Sequence, residues 1–216
     1  MVQYNRQSIR LKNYDYGAKG YYFITICCKN MQHLFGSVQD GKMQLNSIGL
    51  IVLKEWYATE KIRDNCKIHE CIIMPNHIHG IIEITSAKNP FGKSAGFHSP
   101  SHTIGSIVRG FKISSIKKIR EYLNDESTFH SDFLLNDING NSNFRGESEL
   151  SKYASLISPV NPNISQKIKS FDFKIWHRNY YDRIIRDRSA YINIVNYIHS
   201  NPIKWGKVKK IRFTQK

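Results

Sequence analysis

Apolar residues recur along this chain with two periods, and the switches between them mark out its elements. "YYFITICC", residues 21–28, is a run of aromatic and β-branched residues and reads as a buried strand. In "LFGSVQDGKMQLN", Asp40-Gly41 separates two short extended pieces, the pattern of a tight hairpin. Ser47 then caps a helix carrying Ile48, Ile51, Val52 and Trp56 on one stripe. "CIIMPNHIHGIIEI", residues 71–84, reads as two strands broken at Pro75-Asn76, so that His77 opens the second.

A loop rich in Ser, Gly and Pro follows, over residues 86–102, and "TIGSIVRGFKISSIKKIREYL" after it reads as a long helix. Ile104, Ile107, Val108, Phe111 and Ile119 share one side of it, with Arg109, Lys112 and Arg120 opposite; Ile113 and Ile116 fall toward the basic side. Residues 124–170 are rich in Asn, Ser and Asp and show no sustained period. They read as a flexible or partly ordered insertion in a single domain made of residues 1–123 and 171–216. Order returns with "FKIWHRNYYDRIIRD", a strand-like run. Asp187 caps the next helix, which buries Tyr191, Ile194, Val195 and Ile198 and which Pro202 ends. The order β, α, ββ, α, β, α predicts an α+β fold: a ferredoxin-like antiparallel sheet with helices packed against it.

Charge narrows the partners. The 216 residues hold 32 Lys+Arg against 17 Asp+Glu, a net charge of +15, which points to a polyanion such as nucleic acid. A solvated basic surface is the plainer reading of the same excess. No apolar run approaches the roughly 18 residues that cross a bilayer. The opening "MVQYNRQSIRLKNYDYG" is basic but lacks a following apolar core, so it does not read as a signal peptide. Cys27, Cys28, Cys66 and Cys71 form no C-x-x-C pair, which argues for reduced thiols in a cytoplasm rather than a zinc knuckle.

"MPNHIHGII" carries the candidate chemistry. Alternate side chains of a strand share a face, so His77 and His79 project together, an arrangement suited to a metal ion and equally open to a structural role. Tyr197 and Asn201 stand four apart on the last helix, at the edge of its apolar stripe, where they can be aimed at the histidines. A tyrosine beside a divalent metal is a credible nucleophile for phosphate, because the ion favours the phenolate. The bland alternatives are packing for Tyr197 and a helix cap for Asn201, which precedes Pro202.

"MPNHIHGII" resembles the HUH motif (His, bulky hydrophobic, His) of single-tyrosine transposases. "SIRLKNYDYGAKGYYFITICCKN", "LFG", "GSIVRGFK", "WHRNYYDRIIRD" and "YINIVNYIHSNPIKW" resemble the same group, and together they look like the REP-associated tyrosine transposases and their insertion-sequence relatives. The similarity runs from Ser8 to Trp205, interrupted near 86–101 and 124–170. It implies a fold of HUH endonuclease type, with His77 and His79 as metal ligands, Asn201 as the third and Tyr197 as nucleophile. It also implies Mg2+ or Mn2+, a hairpin of single-stranded DNA as partner, and a location with the nucleoid in the cytoplasm. Tyr197 would take the 5′ phosphate and release a 3′-OH, which strand transfer reverses. Whether a homodimer is required stays open.

Arg109, Lys112, Arg120, Arg178, Tyr180, Tyr181 and Arg183 are the candidate DNA contacts, by charge and by stacking capacity. A histidine-triad hydrolase needs further alternating histidines, and position 81 is Ile. The remaining alternative is a domesticated module that binds single-stranded nucleic acid without cutting it.

Overall fold

The computed structural model describes residues 14–86, 102–124 and 159–205. Its centre is a four-stranded antiparallel sheet of β1 (Gly20–Cys27), β4 (Cys66–Met74), β5 (His77–Ile84) and β6 (Tyr181–Ile185), in the spatial order β4-β5-β1-β6. Between β1 and β4 come a separate hairpin, β2 (Gly36–Gln39) and β3 (Lys42–Leu45), and helix α1 (Ser47–Ile62). Helix α2 (Ile104–Asn124) separates β5 from β6. Without the hairpin, the central elements run βαββαβ with the first strand inside and the last at an edge. That is the ferredoxin-like arrangement the hydrophobic pattern predicts.

Each strand sends alternate residues to two different cores. Tyr22, Ile24, Ile78 and Ile82 join α1 and α2 in the main core, with Trp56 and Phe111 among its buried rings. The opposite face carries a smaller core, in which Ile72, Met74, Ile81 and Ile185 meet Ile194 and Ile198 of the last helix, α4 (Arg188–Lys204). Gly80 lies back to back with the histidines: a Cβ there would stand 2.5 Å from the Trp56 ring. Gly80→Ala should therefore destabilise the fold by about 1–3 kcal/mol through overpacking. An unaltered thermal midpoint would show that Trp56 yields without cost.

Local chemistry explains most boundaries. Asp40 (φ 49°) and Gly41 (φ 71°) form the two-residue turn of the β2–β3 hairpin, both left-handed as a tight hairpin turn demands. The cap of α1 is Asn46 rather than Ser47: its Oδ1 accepts from the Gly49 N–H at 2.9 Å, while its Nδ2 donates to the Leu34 carbonyl. Thr103 and Ser106 cap α2 reciprocally, each hydroxyl accepting from the other's N–H. Asp187 caps α4 as its position predicts.

Three further expectations need correction. β4 begins at Cys66, five residues before the apolar run at 71. The run 173–187 yields a strand only over Tyr181–Ile185; upstream, Trp176 is anchored in the main core by its Nε1–H to Ser115. Helix α4 passes through Pro202 to a C-cap at Trp205, since a proline in the last turn forfeits a single hydrogen bond. Within the expected insertion, residues Pro162–Ser170 form helix α3, N-capped by Asn161, with Ile168 fully buried in the main core. The rest of that segment, 125–158, lies outside the described residues.

Candidate functional site

His77 and His79 are 2% and 3% exposed, on the face of β5 that looks toward α4. Their rings meet at 4.5 Å between centroids, and their Nε2 atoms stand 3.1 Å apart. The other nitrogen of each ring is fixed by the protein. His77 Nδ1–H donates to Asn76 Oδ1 at 2.7 Å, and His79 Nδ1 is 2.8 Å from the Thr25 hydroxyl. Phe23 stacks on His79 at 5.2 Å. These partners hold both rings edge to edge.

The arrangement suits a shared cation. An amide oxygen only accepts, so His77 carries its proton on Nδ1 and turns the lone pair of Nε2 to its neighbour. The Thr25 hydroxyl can donate or accept, so His79 can either put its own proton between the two Nε2 atoms or turn a second lone pair inward. In the second state a positive ion is what relieves the repulsion. Two nitrogens at right angles and each about 2.1 Å from one ion would stand about 3.0 Å apart, close to the separation present. Tying the non-ligating nitrogen to an oxygen is also the usual support of a metal-bound imidazole. Burial, and after it His33, pulls the His77 pKa down to about 4. Burial and then His77 hold His79 well below its ordinary value. Both rings are thus neutral at neutral pH, as ligands must be.

Helix α4 brings the rest. The Tyr197 hydroxyl lies 3.4 Å from His79 Nε2, its ring packing edge-on against Phe23, and the residue remains 40% exposed. Trp205, eight positions on, has its ring 6.0 Å from His77 and 5.5 Å from His33. Asn201 sits midway on the stripe Tyr197–Asn201–Trp205, whose two ends touch the two histidines. It is half-buried, lies within the helix rather than at its cap, and makes no side-chain hydrogen bond with a described residue. It remains the candidate third ligand named from the sequence. Among the described residues no three His, Cys, Asp or Glu side chains gather as a metal site.

The candidate DNA contacts divide by face. The register pairs Tyr181 with Thr25 and Arg183 with Phe23, which puts both on the histidine face, exposed at the sheet edge. Arg178 is exposed in the segment before β6. Arg109 and Arg120 lie on α2, across the sheet from the histidines, and Arg120 stacks over Phe173 at 4.8 Å. Tyr180 packs against the main core. Lys112 is used by the fold itself: its ammonium donates to the carbonyls of His177, Arg178 and Asn179 at 2.8, 3.2 and 3.2 Å. Burial draws its pKa down to about 8. Sequence reasoning missed Thr25, Asn76, Phe23, His33 and Trp205. Asn76 could have been noticed beside His77, whereas Thr25 needed a strand register spanning 54 residues.

A protein of Haemophilus influenzae, described as "Uncharacterized protein", is 35% identical to this chain over 210 residues, covering 94% of this chain and 91% of its own. The chain belongs to the same family as that protein. No family model matches it. Among solved structures, a REP-associated tyrosine transposase bound to a REP hairpin is 15% identical with a TM-score of 0.47, over 94% of this chain and 76% of its own. A candidate transposase from Deinococcus radiodurans is 12% identical with a TM-score of 0.36, over 88% and 94%. At these scores the two structures decide nothing further, and the fold stands on the strand register above.

Among the described residues, no helix is long and apolar enough to cross a membrane. None of the four cysteines is in a disulfide; Cys27, Cys28 and Cys66 are buried, and burial raises the pKa of each, to about 11 for Cys27 and Cys66.

Proposed function

We propose that this protein is a transposase-like endonuclease and strand transferase of HUH type that cuts single-stranded hairpin DNA with Tyr197. The observation that carries this is the Tyr197 hydroxyl at 3.4 Å from a buried pair of histidines whose Nε2 atoms converge. The motif order in the sequence and the +15 charge support the same substrate class.

His77, His79 and Asn201 would hold Mg2+ or Mn2+. The ion would draw negative charge off the phosphoryl oxygens of the scissile bond. The Tyr197 hydroxyl would give up its proton, and its oxygen would bond to phosphorus as the bond from phosphorus to the 3′ oxygen breaks. The products are a 5′-phosphotyrosine and a 3′ hydroxyl that has taken up a proton. Attack by a 3′ hydroxyl on the phosphotyrosine reverses the step without ATP. Phe23 and the apolar neighbours of the histidines keep bulk water from the two rings. Arg183 and Tyr181 border the histidine face, Arg178 lies exposed in the segment before β6, and these three are the strand-binding candidates, Arg183 for phosphate and Tyr181 for stacking on a base.

The test is a labelled hairpin oligonucleotide incubated with the protein and Mg2+. A covalent protein–DNA adduct supports the nuclease. Shifted mobility with no adduct supports a module that only binds. Affinity should also fall with salt, by about 0.7 in log K per unit log salt for each phosphate neutralised on a single strand. Replacing Arg178 and Arg183 with Ala should lower that slope by about one to two phosphates' worth. The Arg109/Arg120 pair, across the sheet, should change it less. The reverse ranking would move the DNA path to α2.

A further inference from the structure

We infer that the bulge of β4 positions the nucleophile helix: His69 and Glu70 tie α4 to the sheet on either side of Tyr197 and so set its hydroxyl against His79. The inference rests on the reading of Tyr197 as nucleophile.

β4 and β5 stay in register up to Ile68↔Ile82 and resume at Cys71↔Gly80. His69 and Glu70 therefore face Ile81 alone, two residues against one. In an unbroken strand Glu70 would point into the main core with Ile68. The extra residue turns both His69 and Glu70 toward α4 and returns Cys71 to the main-core side, where it packs.

Both side chains reach the helix. Glu83 Oε2 lies 2.9 Å from His69 Nε2 and accepts a hydrogen bond from its N–H. Nδ1 is then the acceptor, 3.1 Å from the Tyr191 hydroxyl. Tyr21 packs edge-on against both rings of this joint. The second tie is His199 Nε2 to Glu70 Oε2, at 3.1 Å. Tyr191 precedes Tyr197 by six residues and His199 follows it by two, about 9 Å and 3 Å along the axis. Between them α4 buries only Ile194 and Ile198, and apolar burial is non-directional. Two directed hydrogen bonds from adjacent residues of one strand fix what burial leaves free, the slide and rotation of the helix.

The test compares the Tyr191→Phe/Glu70→Ala double variant with wild type and with Tyr191→Phe/Glu70→Gln, in which Gln still accepts from His199. Two readouts are taken on the full chain: the 19F resonance of 3-fluorotyrosine placed at 197, and the single-turnover rate of adduct formation on a Mg2+-bound hairpin complex. In the double Ala variant the resonance should move toward its solvent value. The adduct should form at least about tenfold more slowly, with hairpin affinity within about twofold of wild type. The Gln variant should recover most of both. An unmoved resonance in a folded double variant, or a Gln variant no better than Ala, overturns the inference. If wild type itself forms no adduct, the nuclease reading fails and the resonance alone decides the helix tie. If the double variant does not fold, Glu70→Ala against Glu70→Gln carries the same comparison at the exposed tie.

Discussion

Tyr197→Phe should eliminate the covalent protein–DNA adduct, with cleavage down by at least about a thousandfold. Fold, Mn2+ binding and hairpin affinity should persist, because the change removes one oxygen and keeps the ring that packs on Phe23. The other nearby tyrosines are poorly placed to substitute. Tyr191 spends its hydroxyl on His69, and Tyr180 is packed against the main core under the Lys112 ammonium. Tyr181 is the real competitor. It is 42% exposed, lies on the histidine face, and shares a cross-sheet row with Thr25 and His79. Thr25 intervenes in that row, so Tyr181 stands two strands, about 10 Å, from His79 along the sheet, whereas Tyr197 touches it. Mass spectrometry of the wild-type adduct should place the nucleotide on the peptide holding Tyr197. A nucleotide on Tyr181 would overturn the assignment, and an adduct surviving in Tyr197→Phe would do the same.

The parts of this fold that were legible beforehand are those set by local periodicity. Alternation puts His77 and His79 on one face of β5, and helical spacing puts Tyr197 and Asn201 on one side of α4. What stayed hidden depends on chain segments far apart. The partner of His79 is Thr25, 54 residues away, and only the register of β1 against β5 selects it. The bulge at His69 and Glu70 has no Gly or Pro to mark it, and its effect shows only against the partner strand. Lys112 looked like one member of a basic stripe, yet three carbonyls that converge only in the folded chain consume its donors. The end of α4 was misjudged for a local reason: a proline was taken as a stop, but in the final turn it costs little. The helix at Pro162–Ser170 escaped notice because one buried residue, Ile168, sets no period.

His77→Ala and His79→Ala should each abolish Mg2+-dependent adduct formation while leaving hairpin binding within about threefold, since Arg178, Tyr181 and Arg183 are untouched. Each change also leaves a cavity and an unpaired oxygen, on Asn76 or Thr25, and should cost about 2–4 kcal/mol of stability. Activity must therefore be measured well below the lowered melting point, and His79→Gln, which retains a polar side chain, serves as the milder companion. The pH dependence distinguishes this buried pair from exposed histidines. An imidazole with its usual pKa of about 6.5 loses metal progressively as pH falls through 7 to 6. His77 is held at about 4 and His79 well below its usual value, both chiefly by burial, so protons compete with metal only in more acid solution. Mn2+ affinity, read by calorimetry or electron spin resonance, should accordingly stay flat from about pH 8 to pH 6 and fall below that. Asn201→Ala should weaken Mn2+ without altering this profile, because its amide does not titrate. Full cleavage in both histidine variants, or a metal affinity already halved by pH 6.5, would mean that the two rings are core residues and that the metal, if the reaction uses one, binds elsewhere.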